Sequence, residues 1–111
     1  MKTEQITLTT SITATADLSA SKNLFIGFNG GLCPVDDKAL GVLNDNVALG
    51  EQAPVAVSGI ALVVSGAAIA VGDAVSTDAA SKAVPFVAGE INGYALDEAT
   101  AADQLIRIKL V

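Results

Sequence analysis

The residues best suited to acid–base chemistry are two pairs of neighbouring carboxylates, Asp36-Asp37 and Asp97-Glu98. Such a pair can act as general acid and general base when its surroundings shift at least one pKa toward neutrality. Both pairs stand among turn-forming residues, where carboxylates are normally solvated. No apolar pocket or aromatic platform is predicted beside them, so we expect no enzymatic activity.

Metal and nucleophile chemistry is limited by the absence of histidine and by the presence of a single cysteine, Cys33. Ser-His triads, Cys-His nucleophiles and ordinary zinc sites are therefore excluded, and no intrachain disulfide can form. Cys33 is expected to be a small buried apolar residue. Asp45 and Asp73 lie near glycines, but their spacing matches no calcium-binding loop. We therefore expect no metal ion and no cofactor.

Lys38 lies in a short motif, Asp37-Lys38-Ala39, that resembles the lysine hairpin of lipoyl-carrier domains. A modified lysine at this position would make the chain an acyl-carrier module. The hydrophobic pattern and the acidic neighbours that surround the lysine in those domains are not reproduced here. The carrier is therefore kept as a third interpretation of the function.

The composition favours a protein that is buried in an assembly. Of the 111 residues, 51% are hydrophobic and only 16% are charged, so a lone monomer would expose much apolar surface. The length predicts a single domain. The net charge of −6 and the lack of a basic patch argue against free nucleic acid as a partner.

The most apolar part of the chain is Ala53–Val75, which carries no charge up to Gly72. Its length would suit a membrane-spanning helix, but valine is its commonest large residue and Ser-Gly pairs interrupt it at 58–59 and 65–66. The flanking charges are acidic, and the aromatic residues typical of membrane interfaces are missing from both ends. We therefore predict a strand followed by a bend and a Gly72-Asp73 turn, and no membrane partner.

Alternation predicts which side chains of this strand share a face. Odd-numbered positions from Val55 to Val63 would lie on one face, and even-numbered positions from Ala56 to Val64 on the other. Near the end of the strand both faces are apolar, which an antiparallel strand with one wet face would not need. Another layer or another subunit must cover the second face. We therefore predict a subunit interface at Ile60, Leu62 and Val64.

Residues 1–20 form a distinct polar segment with an alternating pattern. One face would carry Ile6, Leu8, Thr10, Ile12 and Ala14, and the other is built from threonine and serine. The pattern fits an extended arm that pairs with another protein, and it also fits an ordinary edge strand of the same domain. We adopt the arm, with these five residues as its binding face. The segment lacks the apolar core of a signal peptide, so we expect the chain to be made in, and to stay in, the cytoplasm of the cell that produces it.

Residues 21–111 are predicted to form a single β-rich domain. Short apolar runs recur between turn signals, among them NLFIGF at 23–28, in which Leu24, Ile26 and Phe28 would share a face. The last run, QLIRIKLV at 104–111, alternates with one buried face. No long helix is indicated. The fold prediction is all-β: a small barrel or sandwich of short antiparallel strands with an extended N-terminal arm.

Three stretches of the second half resemble the capsid decoration proteins of tailed bacteriophages, also called capsid cement proteins. They are VAVSGIALVV, SGAAIAVGDAVSTDAASKAV and INGYALDEATAADQLIRIKLV. The likeness is carried by the run at 72–75 after an apolar bend, by Lys82 at the end of a polar hairpin, by the run at 93–96 and by a final alternating strand at 106–111.

This resemblance implies a structural virion protein without catalytic activity. Proteins of this family are β-rich trimers on the outside of an assembled head, where they strengthen the shell against the pressure of the packaged DNA. The implied partners are the major capsid protein and further copies of the chain. From the sequence pattern alone, we assign the capsid contact to the N-terminal arm and the contact between copies to Ile60, Leu62 and Val64. The alternative is a small β-barrel module, such as a head fibre base, that binds a host protein or another virion protein.

Overall fold

The computed structural model describes residues 2–111 and contains, over these residues, eight β-strands and no helix. In chain order the strands are β1 (Gln5–Thr13), β2 (Phe25–Ile26), β3 (Gly41–Leu43), β4 (Gln52–Val64), β5 (Ala74–Thr77), β6 (Ala83–Pro85), β7 (Gly93–Ala95) and β8 (Leu105–Leu110). The two longest strands are rich in threonine, valine and isoleucine, whose branched side chains suit a pleated sheet.

The strands form one antiparallel sheet in the order β2-β3-β4-β8-β7-β5-β6, with β1 paired to β4 outside this path. Ser65, directly after β4, makes a parallel bridge to Ala83 at the start of β6. This bridge brings the last strand of the path back to a central one, so the sheet closes almost completely. The predicted all-β small barrel is confirmed.

The sheet is organised around β4. β1 pairs along Gln52–Ile60 and β8 along Ile60–Val64, while β3 pairs at Val55 and Ala56. Because Val55 pairs with β1 and with β3 at once, these two strands lie on opposite edges of β4. The strand interpretation of the apolar run is confirmed, and no helix among residues 2–111 has the length and hydrophobicity to span a membrane.

Ser58-Gly59 does not interrupt β4, contrary to the prediction. The register between β1 and β4 slips on both sides of Leu8, and Gly59 takes a φ of 98°. Such a bulge lets a strand continue while it changes which side chains point to each face. Val55 packs in one core cluster, whereas Val63 packs in the other. The predicted common face of the odd-numbered positions is therefore wrong beyond Gly59.

The core consists of two clusters of small apolar side chains. The larger is built around Phe25, Val63, Ile106 and Ile108, all 0% exposed. The smaller includes Ala14, Leu18, Ile26, Leu43 and Val55. Since Ala14 and Leu18 belong to this cluster, residues 5–18 pack against the rest of the chain, as in the edge-strand interpretation of the N-terminal segment. The proposed boundary between residues 20 and 21 stays a prediction.

One buried amide, that of Asn92, holds three segments together. Its Oδ1 accepts a hydrogen bond from the Ala39 amide at 2.9 Å. Its Nδ2 donates to the Asp37 carbonyl and to Thr77 Oγ1, both at 2.9 Å. Within residues 2–111 every buried side-chain nitrogen and oxygen has a hydrogen-bond partner. Asn92 thereby fixes the chain at 37–39 against β5 and the start of β7.

Candidate functional site

The free edge of β1 is the feature of the fold most suited to binding an extended segment of another chain. Over residues 2–111, β1 pairs with β4 alone. The strand is nine residues long, and its sequence QITLTTSIT contains neither a charge nor a proline. Natural proteins usually protect an edge of this length with lysine, proline or a covering loop. The only protective feature on β1 is the bulge beside Leu8, so residues 9–13 keep a regular row of backbone donors and acceptors that can accept a further strand.

The predicted binding face of this segment is divided between solvent and core. Leu8 is 58% exposed and Thr10 is also exposed, so both are available to a partner. Ile6 and Ile12 are half-buried against the core clusters, and Ala14 is only 1% exposed. Ala14 therefore serves the domain's own core in this structure. Contact between these residues and a capsid stays a prediction.

The three residues predicted to form a subunit interface lie together on the surface. Ile60, Leu62 and Val64 are half-exposed and pair across the sheet with Lys109, Arg107 and Leu105, respectively. The intervening residues of both strands are buried, so these six side chains point away from the core. We call them the outer face. It is an apolar stripe on β4 beside a stripe on β8 that carries two positive charges.

A groove of about 470 Å³ adjoins the outer face at Ile60 and Lys109. It is lined by Gln5, Thr7, Ser58, Gly59, Ile60, Leu96, Lys109 and Leu110. Lys2 lies at the other end of the outer face, where its Nζ donates to the Leu105 carbonyl at 2.8 Å. Lys109 makes no ion pair and no side-chain hydrogen bond with any described residue. The groove and the outer face thus combine apolar surface with a free ammonium group.

Arg107 is held in place by Asp97. Its Nε and Nη2 donate to the two carboxylate oxygens at 3.0 Å each, and its backbone amide donates to the same carboxylate at 2.9 Å. These hydrogen bonds lower the pKa of Asp97 to about 2, although partial burial opposes the shift. Asp97 therefore stays ionised at neutral pH and cannot supply the proton that a general acid would need.

The other residues considered for chemistry do not form a reactive arrangement either. Asp36 and Asp37 are exposed in a loop between β2 and β3. Lys38 is half-buried there, and its Nζ donates to the Ile91 carbonyl at 2.9 Å, so it is not the free hairpin lysine of the carrier interpretation. Among residues 2–111, no group of three or more histidine, cysteine or acidic side chains is placed to hold a metal ion.

Two loops carry exposed apolar residues that the sequence did not single out. The two loops are residues 27–38 and 86–91, and together we call them the loop surface. Phe28 is 66% exposed, Val35 56% and Val87 89%. Phe28 was predicted to share a strand face with Ile26, but β2 ends at Ile26 and the chain turns away through a hydrogen bond from the Gly27 amide to the Gly31 carbonyl. One signal was available in the sequence: the chain has only four aromatic residues, and a turn-forming Asn-Gly follows Phe28.

Comparison with known proteins identifies the family. A model of the family described as phage cement protein matches residues 1–110. The chain belongs to the phage cement protein family. The match spans nearly the whole chain, including the first half, which the three resembling stretches do not cover. The family predicted from the Gly-Asp turn, the hairpin and the last strand is confirmed, and this cement protein is a structural protein of a phage particle.

The fold is shared with a protein of known structure. The crystal structure of the head fiber gp8.5 N base in bacteriophage phi29 aligns with a TM-score of 0.76 and 23% sequence identity. The alignment covers 94% of this chain and 95% of that chain. At this identity the likeness is one of fold. A comparison of this chain with curated proteins finds no match.

Proposed function

We propose that this cement protein binds the outer surface of an assembled phage head as a homotrimer and stabilises the capsid lattice. The proposed partners are the major capsid protein and two further copies of the chain. Membership of the cement family supports a role on the head, and the outer face supports contact between copies. The observation that carries the capsid contact is the nine-residue edge of β1, which is free of charge and proline.

Strand addition accounts for specificity at this edge. A segment of the capsid protein that pairs with β1 satisfies backbone groups on both chains, and alternate side chains then meet on each face. Leu8 and Thr10 are exposed and would meet the added strand, while Ile6 and Ile12 would contribute only their outer atoms. Ala14 supports the end of β1 from the core side and is assigned no contact.

Stabilisation of the lattice follows from mass action. A protein that binds assembled capsomers and has no affinity for separated ones favours the assembled state by its binding free energy. At a free concentration of one hundred times the Kd, each occupied site contributes about 2.7 kcal/mol. No reaction is needed.

The test is binding to purified heads that lack the protein. The double substitution Leu8→Lys and Thr10→Lys places two charges beside the edge of β1, as natural proteins do to prevent pairing. Both positions are exposed, so the fold should persist. Substitution is preferable to truncation, because removing β1 would uncover β4 and remove Ala14 from the core.

The matched control is Ala79→Lys with Ala102→Lys, which adds the same charge at two exposed loop positions away from β1. We expect the control to co-sediment with heads and to raise their dissociation temperature. The β1 variant should do neither while keeping the thermal stability of the free protein. Undiminished binding of the β1 variant would refute the proposed contact.

A second candidate is a base module that links a host-binding or virion protein to the head. The fold likeness to the head fiber base of bacteriophage phi29 favours it. Heads with and without the cement protein separate the two functions. Lattice stabilisation predicts a difference in the dissociation temperature of the heads, and a base module predicts a difference in attachment to host cells.

A further inference from the structure

The loop surface is one continuous structure made from two loops. Lys38 of the first loop donates through Nζ to the Ile91 carbonyl of the second at 2.9 Å. The Glu90 amide donates to the Asp36 carbonyl at 3.2 Å. Phe28 lines a shallow pocket with Asn29, Pro34, Asp37 and Lys38, so the start and the end of the first loop are also in contact. The two loops are therefore held together as a single surface.

This surface is acidic as well as apolar. Its charged residues are Asp36, Asp37, Lys38 and Glu90, which give a net charge of −2 from three acids and one lysine. Neither of the two ion pairs among the described residues involves them. Their carboxylates are thus free to meet a positive partner, and Phe28 supplies the kind of exposed aromatic side chain that often anchors an interface.

The outer face and its groove have the opposite character. Three basic residues, Lys2, Arg107 and Lys109, lie there with two acids, Asp97 on Arg107 and Glu4, whose carboxylate accepts a hydrogen bond from the Leu62 amide, so the net charge is +1. Arg107 is paired with Asp97, but the Lys109 ammonium has no partner among the described residues. The surrounding side chains are Ile60, Leu62 and Leu96, which are half-exposed. This surface offers a positive group beside an apolar groove, and the loop surface offers negative groups beside exposed apolar side chains.

We infer that the loop surface of one copy docks on the outer face and groove of the next copy. This inference rests on the proposed homotrimer and identifies its two complementary surfaces. Two different patches that fit each other make a head-to-tail contact, which produces a closed ring when the rotation between copies allows closure. Pairing of like with like is disfavoured, because two loop surfaces would oppose carboxylates and two outer faces would oppose ammonium groups.

Charge reversal in one chain tests this arrangement. In Lys109→Glu every contact would place a carboxylate against the acidic loops, and in Glu90→Lys every contact would place two ammonium groups together. Each single variant should weaken the trimer about tenfold or more. The double variant Lys109→Glu with Glu90→Lys restores opposite charges and should return to within about threefold of the wild type.

The measurement is sedimentation equilibrium over a concentration series. Lys22→Glu and Glu98→Lys are the controls, since both residues are exposed, make no ion pair and lie outside the two surfaces. A third variant, Phe28→Ala, should weaken association without changing the unfolding of the monomer, because the side chain is 66% exposed.

The outcomes separate this inference from the proposed function. A wild-type protein that stays monomeric at all concentrations overturns the trimer and the docking together. A trimeric wild type whose single charge variants associate normally overturns the docking alone. The same conclusion follows if the double variant is as weak as the single variants, or if the variants trimerise normally but lose head binding, since these surfaces would then face the capsid.

Discussion

Gly59 allows β1 to lie against β4, and its replacement should separate the two strands locally. It takes a φ of 98°, a conformation that favours glycine. A Cβ at this position would stand 2.4 Å from the Gln5 carbonyl oxygen, 2.7 Å from the Thr7 nitrogen and 3.2 Å from the Ile6 Cα. These atoms belong to the backbone of β1, which cannot rotate aside as a long side chain could.

The cost of Gly59→Ala has two parts. The positive φ costs about 1 kcal/mol for a residue with a Cβ. The contact with β1 adds about 1–3 kcal/mol, the usual range for an added methyl group that forces backbone to shift. We therefore expect the free energy of unfolding to fall by about 2–4 kcal/mol. The start of β1 should also detach more often from β4.

Gly72 provides a matched control for the first part. Its φ is 88°, and a Cβ there would meet no atom within 4 Å. Gly72→Ala should therefore show only the backbone cost of about 1 kcal/mol. Urea unfolding measures both free energies, and hydrogen exchange of the amides in residues 5–7 reports on β1. Equal destabilisation of the two variants, with unchanged exchange in β1, would show that the approach of β1 to Gly59 is not the constraint described.

Three further predictions concern buried and paired groups. Asn92→Ala should lower the free energy of unfolding by about 2–4 kcal/mol in a urea titration, because the buried backbone groups that it binds lose their partner. Asp97→Ala should lower the urea midpoint at pH 7 but have little effect near pH 2. The pKa of Asp97 is about 2 in the folded protein and 3.8 ordinarily, so its ionised carboxylate stabilises the fold above about pH 4. This stabilisation is lost as the pH falls toward 2. Burial raises the pKa of the Cys33 thiol, so a thiol reagent at pH 7.5 should modify it at the rate of unfolding rather than at the rate of a free cysteine.

The regular parts of the fold could be predicted because local pattern decides them. In β8 the alternation places Ile106 and Ile108 in the core and Arg107 and Lys109 outside, as the sequence indicates. The sequence did not show which side chains of β4 share a face beyond Gly59. A glycine that ends a strand and a glycine that forms a bulge look the same in a sequence, and here the choice depends on β1, which is more than 50 residues away in the chain.

The candidate surfaces were predictable to different degrees. Ile60, Leu62 and Val64 were found because an apolar residue on a second face has a local signature. The loop surface was not predicted, because the alternation of Leu24, Ile26 and Phe28 indicates a continuing strand. The turn at residues 27–31, which ends this alternation, is seen only in the structure. Asn92 was also missed, because its partners Ala39 and Thr77 are distant in sequence. Tertiary contacts decide the last two of these cases.

The single chain already has the surface area of an ordinary folded monomer. Its 5267 Å² compares with about 5,700 Å² expected for a protein of 11.1 kDa. The residues that make the chain suited to an assembly are therefore not a protruding unfolded segment. The surfaces proposed for contact are the edge of β1, the outer face and the loop surface, and all three belong to the folded part of the chain. Because little chain has to be ordered on association, the entropy cost of binding should be small, which favours tight attachment through modest contact areas.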